Sequence, residues 1–511
     1  MSTNDQSLRN TFSAGVERLD QVIDAHRVTM QPRELGMVLQ AGRGIAQVRG
    51  LRTAENEELL EFPGRHLGFV FNLDPEVLGC VLLDQATSIS AGDEVRRTYR
   101  RLDVPVGPEL LGRIIDPVGR PLDDRGELGR LPRAPVEQAA RPIMDRAPVS
   151  RPLQTGIKVI DALVPIGRGQ RQLIVGDRQT GKTSIAVNTM INQLDAGVRC
   201  VFCAIGQRTS AVTSVIQALR SHGAMENCVV VVADPDATAG LQFVAPYAAT
   251  SIAEYFMEQG QDALIVYDDL TAHARAYREM SLLLRRPPGR EAFPGDIFFV
   301  HARLLERATS LRQEAGGGSI TALPLVETEA QNVSAYVPTN LISITDGQVY
   351  LSPQRFRKGI LPAVDVGRSV SRVGGKAQLP AYRSVTGPLR LGYSQFEELE
   401  KFARFSSQLD VATRKTLRRG ERVRQLLQQG KLERFSVVEQ VISFLAIANG
   451  LYDAIDTNQI HTIESNLTRS VIERLPQVAD AINQGIALSD GAIDQILSIA
   501  HEILNEESEQ R

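Results

Sequence analysis

The run Gly176-Asp177-Arg178-Gln179-Thr180-Gly181-Lys182-Thr183-Ser184 contains residues whose order can bind phosphate, because its fixed positions satisfy G-x-x-x-x-G-K-[ST]. Glycines allow the backbone to turn sharply, so that successive N–H groups face phosphate oxygens, and a following helix adds the partial positive charge of its N-terminus. In such a loop Lys182 would reach the outer phosphates and the Thr183 hydroxyl a magnesium ion. A second signal is Ala263-Leu-Ile-Val-Tyr-Asp268-Asp269, an apolar strand that ends in carboxylate, at the edge where open parallel sheets bind ligands. Strands ending in Asp are common. Downstream of a phosphate loop, Asp268 rather than Asp269 is expected as the second magnesium partner. A third candidate is Gln207, which closes the apolar run CVFCAIGQ. A side chain there could face the water that attacks a γ-phosphate, but an amide carries no charge and cannot take a proton. A solvated glutamine at a strand end is the other reading of the same residue.

These residues need a scaffold, and the hydrophobic periodicity supplies one. Leu173-Ile-Val175 reads as a buried strand and Thr183-Ser-Ile-Ala-Val187 as the start of a helix. From about Ile157 to Asp346 strands and helices alternate, which predicts a mainly parallel sheet covered by helices. From Leu35 to about Arg100 short apolar runs such as IAQVRGL, LGFVFNL and GCVLLDQ are broken by Gly, Asp and Pro, the pattern of a small β-barrel. The Pro- and Gly-rich stretch Leu102–Asp124 keeps its apolar residues and reads as a shaped crossing into the next domain. Beyond about Gln378 the period is helical: Phe396, Leu399, Phe402, Ala403 and Leu409 are expected on one face, and Ser436-x-x-Glu439 is a capping box before VISFLAIA. Leu8, Phe12, Val16, Leu19 and Ile23 predict an N-terminal amphipathic helix that docks on another surface, and ESEQR a solvated tail. The expected domains are residues 1–27 (helix), 28–101 (β-barrel), 102–379 (an α/β nucleotide-binding domain, which a family resemblance makes RecA-like) and 380–511 (α-helical).

Composition excludes several classes. The 511 residues carry 57 Lys and Arg against 60 Asp and Glu, so no basic field invites nucleic acid. No tryptophan is present and aromatic residues make up 5%, few platforms for stacking bases. MSTNDQSLRN lacks the layout of a signal peptide, and no apolar run reaches the length of a spanning helix, so a cytoplasmic chain is expected. The four cysteines offer no disulfide framework, and Cys200-x-x-Cys203 sits in an apolar strand where residues three apart point to opposite faces, favouring buried structural thiols over a redox or zinc half-site.

GDRQTGKTSIA, YDDLTAHARAYREMSLLLRRPPGREAFPGD, HARLLERA, VPTNLISITDGQ and PAVDVGRSVSRVGG together resemble the α subunits of the F-type ATP synthases, in register from about Leu35 to Tyr452. The N-terminal helix and the last fifty or so residues match more loosely, as in a divergent second copy. The resemblance implies a bacterial subunit that binds ATP or ADP with Mg²⁺ without turning it over, since catalytic β subunits carry glutamate where this chain has Gln207. It implies three copies alternating with three β subunits around a central γ stalk, and a peripheral stalk or δ subunit met through the N-terminal helix. The complex would lie on the cytoplasmic face of the inner membrane, coupling ATP synthesis or hydrolysis to transport of protons or sodium; the chain itself would be peripheral.

The match also assigns residues. Arg372 corresponds to the arginine finger inserted into a β subunit's site, with Ser369 and Ser343 near the same interface. An arginine in a Ser/Gly-rich loop is otherwise an ordinary surface charge. Arg178 and Gln179 correspond to phosphate contacts, and Phe356, Pro362 and Gln429 to parts of an adenine pocket. Leu361 stands where the family generally has arginine, and Lys431 where a second glutamine is common, which predicts altered base selectivity. The competing reading is an autonomous hexameric NTPase, a helicase or secretion ATPase. That would call for a carboxylate at Gln207 or a nucleic-acid surface.

Overall fold

The computed structural model describes residues 34–85, 88–403 and 410–509, together with Val16 and Arg18. The predicted N-terminal amphipathic helix lies outside the described residues, apart from those two helical positions.

Six antiparallel strands open the described chain: β1 (Leu35–Gly42), β2 (Ile45–Arg49), β3 (Glu58–Phe62), β4 (His66–Leu73), β5 (Leu78–Leu82) and β6 (Glu94–Arg101). They close in the order β1-β2-β5-β4-β3-β6 as a barrel, which leaves no free edge. Val38, Val48, Leu60, Val70, Cys80 and Val95 fill its interior.

The crossing segment holds β7 (Asp103–Pro105), β8 (Ile114–Ile115) and β9 (Arg133–Pro135). β7 pairs with β9, while β8 joins the large sheet as its edge. That sheet adds β10 (Leu173–Asp177), β11 (Arg199–Ile205), β12 (Cys228–Ala233), β13 (Asp262–Asp268), β14 (Ser319–Thr328), β15 (Gly347–Leu351) and β16 (Val370–Ser371). The order is β16-β15-β10-β14-β13-β11-β12-β8, parallel except where β16 meets β15. Helices α1 (Lys158–Leu163), α2 (Lys182–Asn192), α3 (Thr209–Ser221), α4 (Ala239–Glu258), α5 (Leu270–Leu283), α6 (Ile297–Leu305), α7 (Tyr336–Ile344) and α8 (Pro353–Arg357) accompany it.

The sheet's two faces serve two cores. In β11, Cys200, Phe202 and Ala204 pack with α2, α3 and the C-terminal helices. Val201, Cys203 and Ile205 pack with α4 to α7 and with Phe69 and Val81 of the barrel. Both thiols are wholly buried, pointing to opposite faces by the period-two rule of a strand.

The helical part comprises α9 (Pro380–Ala403), α10 (Val411–Leu427), α11 (Val437–Ala448), α12 (Ile460–Arg474), α13 (Pro476–Asn483) and α14 (Asp490–Glu509). The capping box forms at α11: Ser436 Oγ accepts from Glu439 N, and Glu439 Oε2 accepts from Ser436 N. The predicted apolar stripe needs correction, since Phe396 is buried whereas Phe402 is 72% exposed. Six residues at 100° each put Phe402 about 120° away from Phe396 around the helix. Helix α14 continues to Glu509, so part of the predicted tail is helical.

A buried ion pair fastens the helical part to the sheet domain. Lys158 Nζ donates to both oxygens of Glu464 at 3.0 Å and lies 4.0 Å from the centre of the Phe435 ring. Neither side chain of the pair is exposed by more than 2%. Lys158→Met should therefore cost about 3–5 kcal/mol, because Glu464 stays buried without its cation, and Lys158→Met/Glu464→Leu should recover most of that loss; chemical denaturation of both variants checks it.

Burial in α6 acts on His301, whose two ring nitrogens have no hydrogen-bond partner and whose pKa is pushed down to about 4. An unfolded histidine takes its proton near pH 6.5, so its contribution to stability is complete above that pH and is lost as pH falls towards 4, by up to about 3 kcal/mol. His301→Leu should flatten that part of the pH–stability profile.

Candidate nucleotide-binding site

The ends of β10, β13 and β14 and the start of α2 surround a cavity of about 820 Å³. The phosphate loop forms its floor. Gln179 and Gly181 take positive φ values of 60° and 98°, so the backbone folds back on itself before α2 begins at Lys182. Lys182 is 7% exposed, and its ammonium donates to the carbonyls of Gly176 at 2.9 Å and Asp177 at 2.8 Å. Burial lowers its pKa, against the pull of Glu327, Asp269, Asp268 and Asp177.

Carboxylates gather opposite the loop. Asp268 ends β13 and accepts from Thr183 Oγ1 at 2.7 Å and from the Gln207 amide at 3.2 Å. Burial pushes its pKa up to about 6, although the Thr183 hydrogen bond and Lys182 oppose the rise. Asp269 caps α5 through Ala272 N at 2.7 Å, and burial with the charges of Asp268 and Glu327 pushes it up to about 7. Thr183 and Asp268 are hard oxygen donors held side by side, which suits Mg²⁺ carrying most of its shell as water and phosphate oxygen.

Most of the sequence candidates meet here. Arg178, Gln179, Thr180, Gly181, Lys182, Thr183, Ser184, Gln207, Asp268, Phe356, Pro362 and Gln429 line the cavity, as do Leu361 and Lys431. Arg178 Nε donates to Glu327 at 3.0 Å. Gln429 is tied to the walls, its Oε1 accepting from Lys158 N at 3.0 Å and its Nε2 donating to Gly156 O at 2.7 Å. Gly176 and Asp177 are outside the lining. The Asp177 carboxylate accepts instead from Thr328 Oγ1 at 2.6 Å and Gln331 N at 2.9 Å, holding the chain after β14. Asp177 is the last residue of β10, and its carboxylate is taken up within the chain.

Arg372, Ser369 and Ser343 stand apart from this cavity. Ser369 is 3% exposed and internally satisfied, donating to Asp365 O at 2.6 Å and accepting from Tyr350 N at 3.0 Å. Ser343 donates to Asn340 O within α7 at 2.7 Å. The Arg372 side chain is exposed, while its N–H donates to Asp346 O at 2.9 Å. Residues that sequence reasoning passed over also line the cavity: Glu327, Arg208, Arg275 and Asn188. Glu327 follows the apolar run of β14, so strand-then-carboxylate, the signal that selected Asp268, was present there too.

Comparison with known proteins follows the same architecture. Residues 33–99 match the beta-barrel domain of the ATP synthase alpha/beta family, 156–371 its nucleotide-binding domain, and 378–503 the C terminal domain of the ATP synthase alpha/beta chain. The chain belongs to this family. ATP synthase subunit alpha 1 of Rhodopirellula baltica is 57% identical over 490 residues, covering 96% of this chain and 97% of that one. ATP synthase subunit alpha 2 of Syntrophus aciditrophicus is 56% identical over 482 residues (94% and 92%), and subunit alpha 2 of Syntrophotalea carbinolica 56% over 498 (98% and 94%). Nucleotide binding goes with membership, and no helix among the described residues is long and apolar enough to cross a membrane.

Lys182→Ala removes a charge-assisted phosphate contact and should weaken nucleotide binding by about 1.5–3 kcal/mol, roughly 10- to 150-fold; equilibrium dialysis with labelled ATP measures it. With Leu361 and Lys431 in the wall, preference for ATP over GTP should stay below about a hundredfold in the same assay.

Proposed function

We propose that this chain is the non-catalytic, regulatory alpha subunit of an F-type ATP synthase head, holding ATP or ADP with Mg²⁺ and completing the active sites of neighbouring β subunits. The observation that carries the reading is Gln207. It lines the cavity with its amide on Asp268, and a neutral amide there cannot act as the general base that takes a water's proton. Bound Mg²⁺ would offset charge on the β- and γ-phosphates, held through Thr183 and Asp268. The protein's own groups do the rest: the loop N–H groups and Lys182 bind and orient the phosphates, and Gln207 leaves the nearby water unactivated.

Arg372 supports the second half of the proposal. Its side chain is exposed and lies outside the lining of its own chain's cavity, as suits a residue acting in a neighbour's site. The loop that carries it is pinned by Ser369 to Tyr350 N, and by Ser371 Oγ to Pro165 O at 2.6 Å. A guanidinium presented from so fixed a base meets developing charge on a transferring phosphoryl group without prior reorganisation. Three such chains would alternate with three β subunits about a central stalk, at the cytoplasmic face of the membrane, with ATP synthesis or hydrolysis coupled to ion transport through membrane-embedded subunits.

In the assembled enzyme Arg372→Ala should lower steady turnover about 10³- to 10⁵-fold while nucleotide stays on this chain's own loop. Lys182→Ala should lower nucleotide occupancy of that loop and spare initial turnover. Rapid-mixing kinetics with counts of bound nucleotide separates the two, and the opposite pairing of effects would show that Arg372 acts within its own chain.

A further inference from the structure

Helix α10 buries its apolar residues on one face. Gly420 lies so close to Phe396 of α9 that an added Cβ would meet its Cγ at 2.0 Å, and Val423, Leu426 and Leu427 are buried beside it. At 100° per residue Val411, Arg414, Lys415, Arg418 and Arg422 fall on the opposite side, and with Arg419 and Asp453 they line a cavity of about 330 Å³.

Nothing within the described chain accounts for this concentration of charge. Five cations face one carboxylate, in a protein whose net charge is −3. Arg414 and Lys415 stand by the first turn of α10, where the positive end of the helix dipole disfavours cations, so they do not serve the helix. Asp410 is used as the cap, accepting from Thr413 N at 3.2 Å. Arg419 and Arg422 are held in place by carbonyls: Arg419 Nη2 donates to Ala448 O at 2.6 Å and Arg422 Nε to Ile455 O at 3.2 Å. Among the described residues Arg414, Lys415 and Arg418 form no salt bridge.

We infer that this face docks an acidic helix of a partner protein. Arg414, Arg418 and Arg422 recur at four-residue steps over about 12 Å, the repeat at which carboxylates four apart line one face of a facing helix. Val411, 78% exposed at the end of the row, offers an apolar seat that a phosphate chain would not use and a helix would. The inference rests on the proposal that the chain works within a multisubunit enzyme.

Lys415 makes the docking testable, because a zero-length carbodiimide joins an amine only to a carboxylate already in contact. In the purified complex, peptide mapping should find Lys415 bonded to an Asp or Glu of another subunit, and Lys415→Arg should abolish that bond. Arg414→Glu/Arg418→Glu should then weaken binding of the cross-linked subunit at least about tenfold, with a loss that added salt reproduces. Absence of any intersubunit bond at Lys415 in an intact complex, or a bond only to Asp453 of the same chain, overturns the inference while leaving the assignment of the head subunit untouched. Binding of the isolated chain to phosphatidylserine vesicles or inorganic polyphosphate through these residues, with no bond to another subunit, would equally overturn it. Failure of the chain to assemble with any β subunit would instead count against the proposed function.

Discussion

The contact between Lys158 and Glu464 decides where the helical part stands relative to the sheet. Two opposite charges removed from water are costly unless each satisfies the other, so this interface has one low-energy arrangement and its alternatives leave an ion stranded. The nucleotide cavity depends on that arrangement. One wall is built from Ile157 on one side and from Gln429, Gly430, Lys431 and Leu432 on the other, residues that meet only because the domains are fastened beside them. Lys158 takes part twice, through its ammonium to Glu464 and through its backbone N–H to Gln429.

The opposite wall obeys a different constraint. Asp268, Asp269 and Glu327 come from the ends of adjacent parallel strands, β13 and β14, which places like charges in one buried space. Such a cluster is tolerable where a cation is expected, and here Lys182 supplies one fixed charge while Thr183 and Asp268 present oxygens for another. Burial pushes the Asp268 and Asp269 pKa values up, and the neighbouring carboxylates add to the rise.

Much of this was legible from residue order. The phosphate loop, the strand-borne Asp268 and the barrel-sheet-helix sequence rest on local periodicity and turn chemistry, which a chain carries in short windows. What escaped depends on contacts between distant segments. β8 has only two residues and becomes a strand because β12 offers it an edge. Asp177 belongs to the loop pattern, yet its carboxylate is claimed by Thr328 and Gln331, some 150 residues later. Three-residue steps put Phe402 on the face of Phe396 and Leu399, whereas the angle accumulated over two such steps on α9 sends it to solvent.

The division of β11 between two cores has a consequence for fidelity of pairing. A slip of one residue against β12 or β13 would send Cys200, Phe202 and Ala204 into the space shaped for Val201, Cys203 and Ile205, and the reverse, spoiling both packings together. The same slip would carry Gln207 away from Asp268 and set Gly206 or Arg208 opposite that carboxylate instead. Error correction in the hydrophobic interior thus also protects the identity of the residue that faces Asp268 across the cavity.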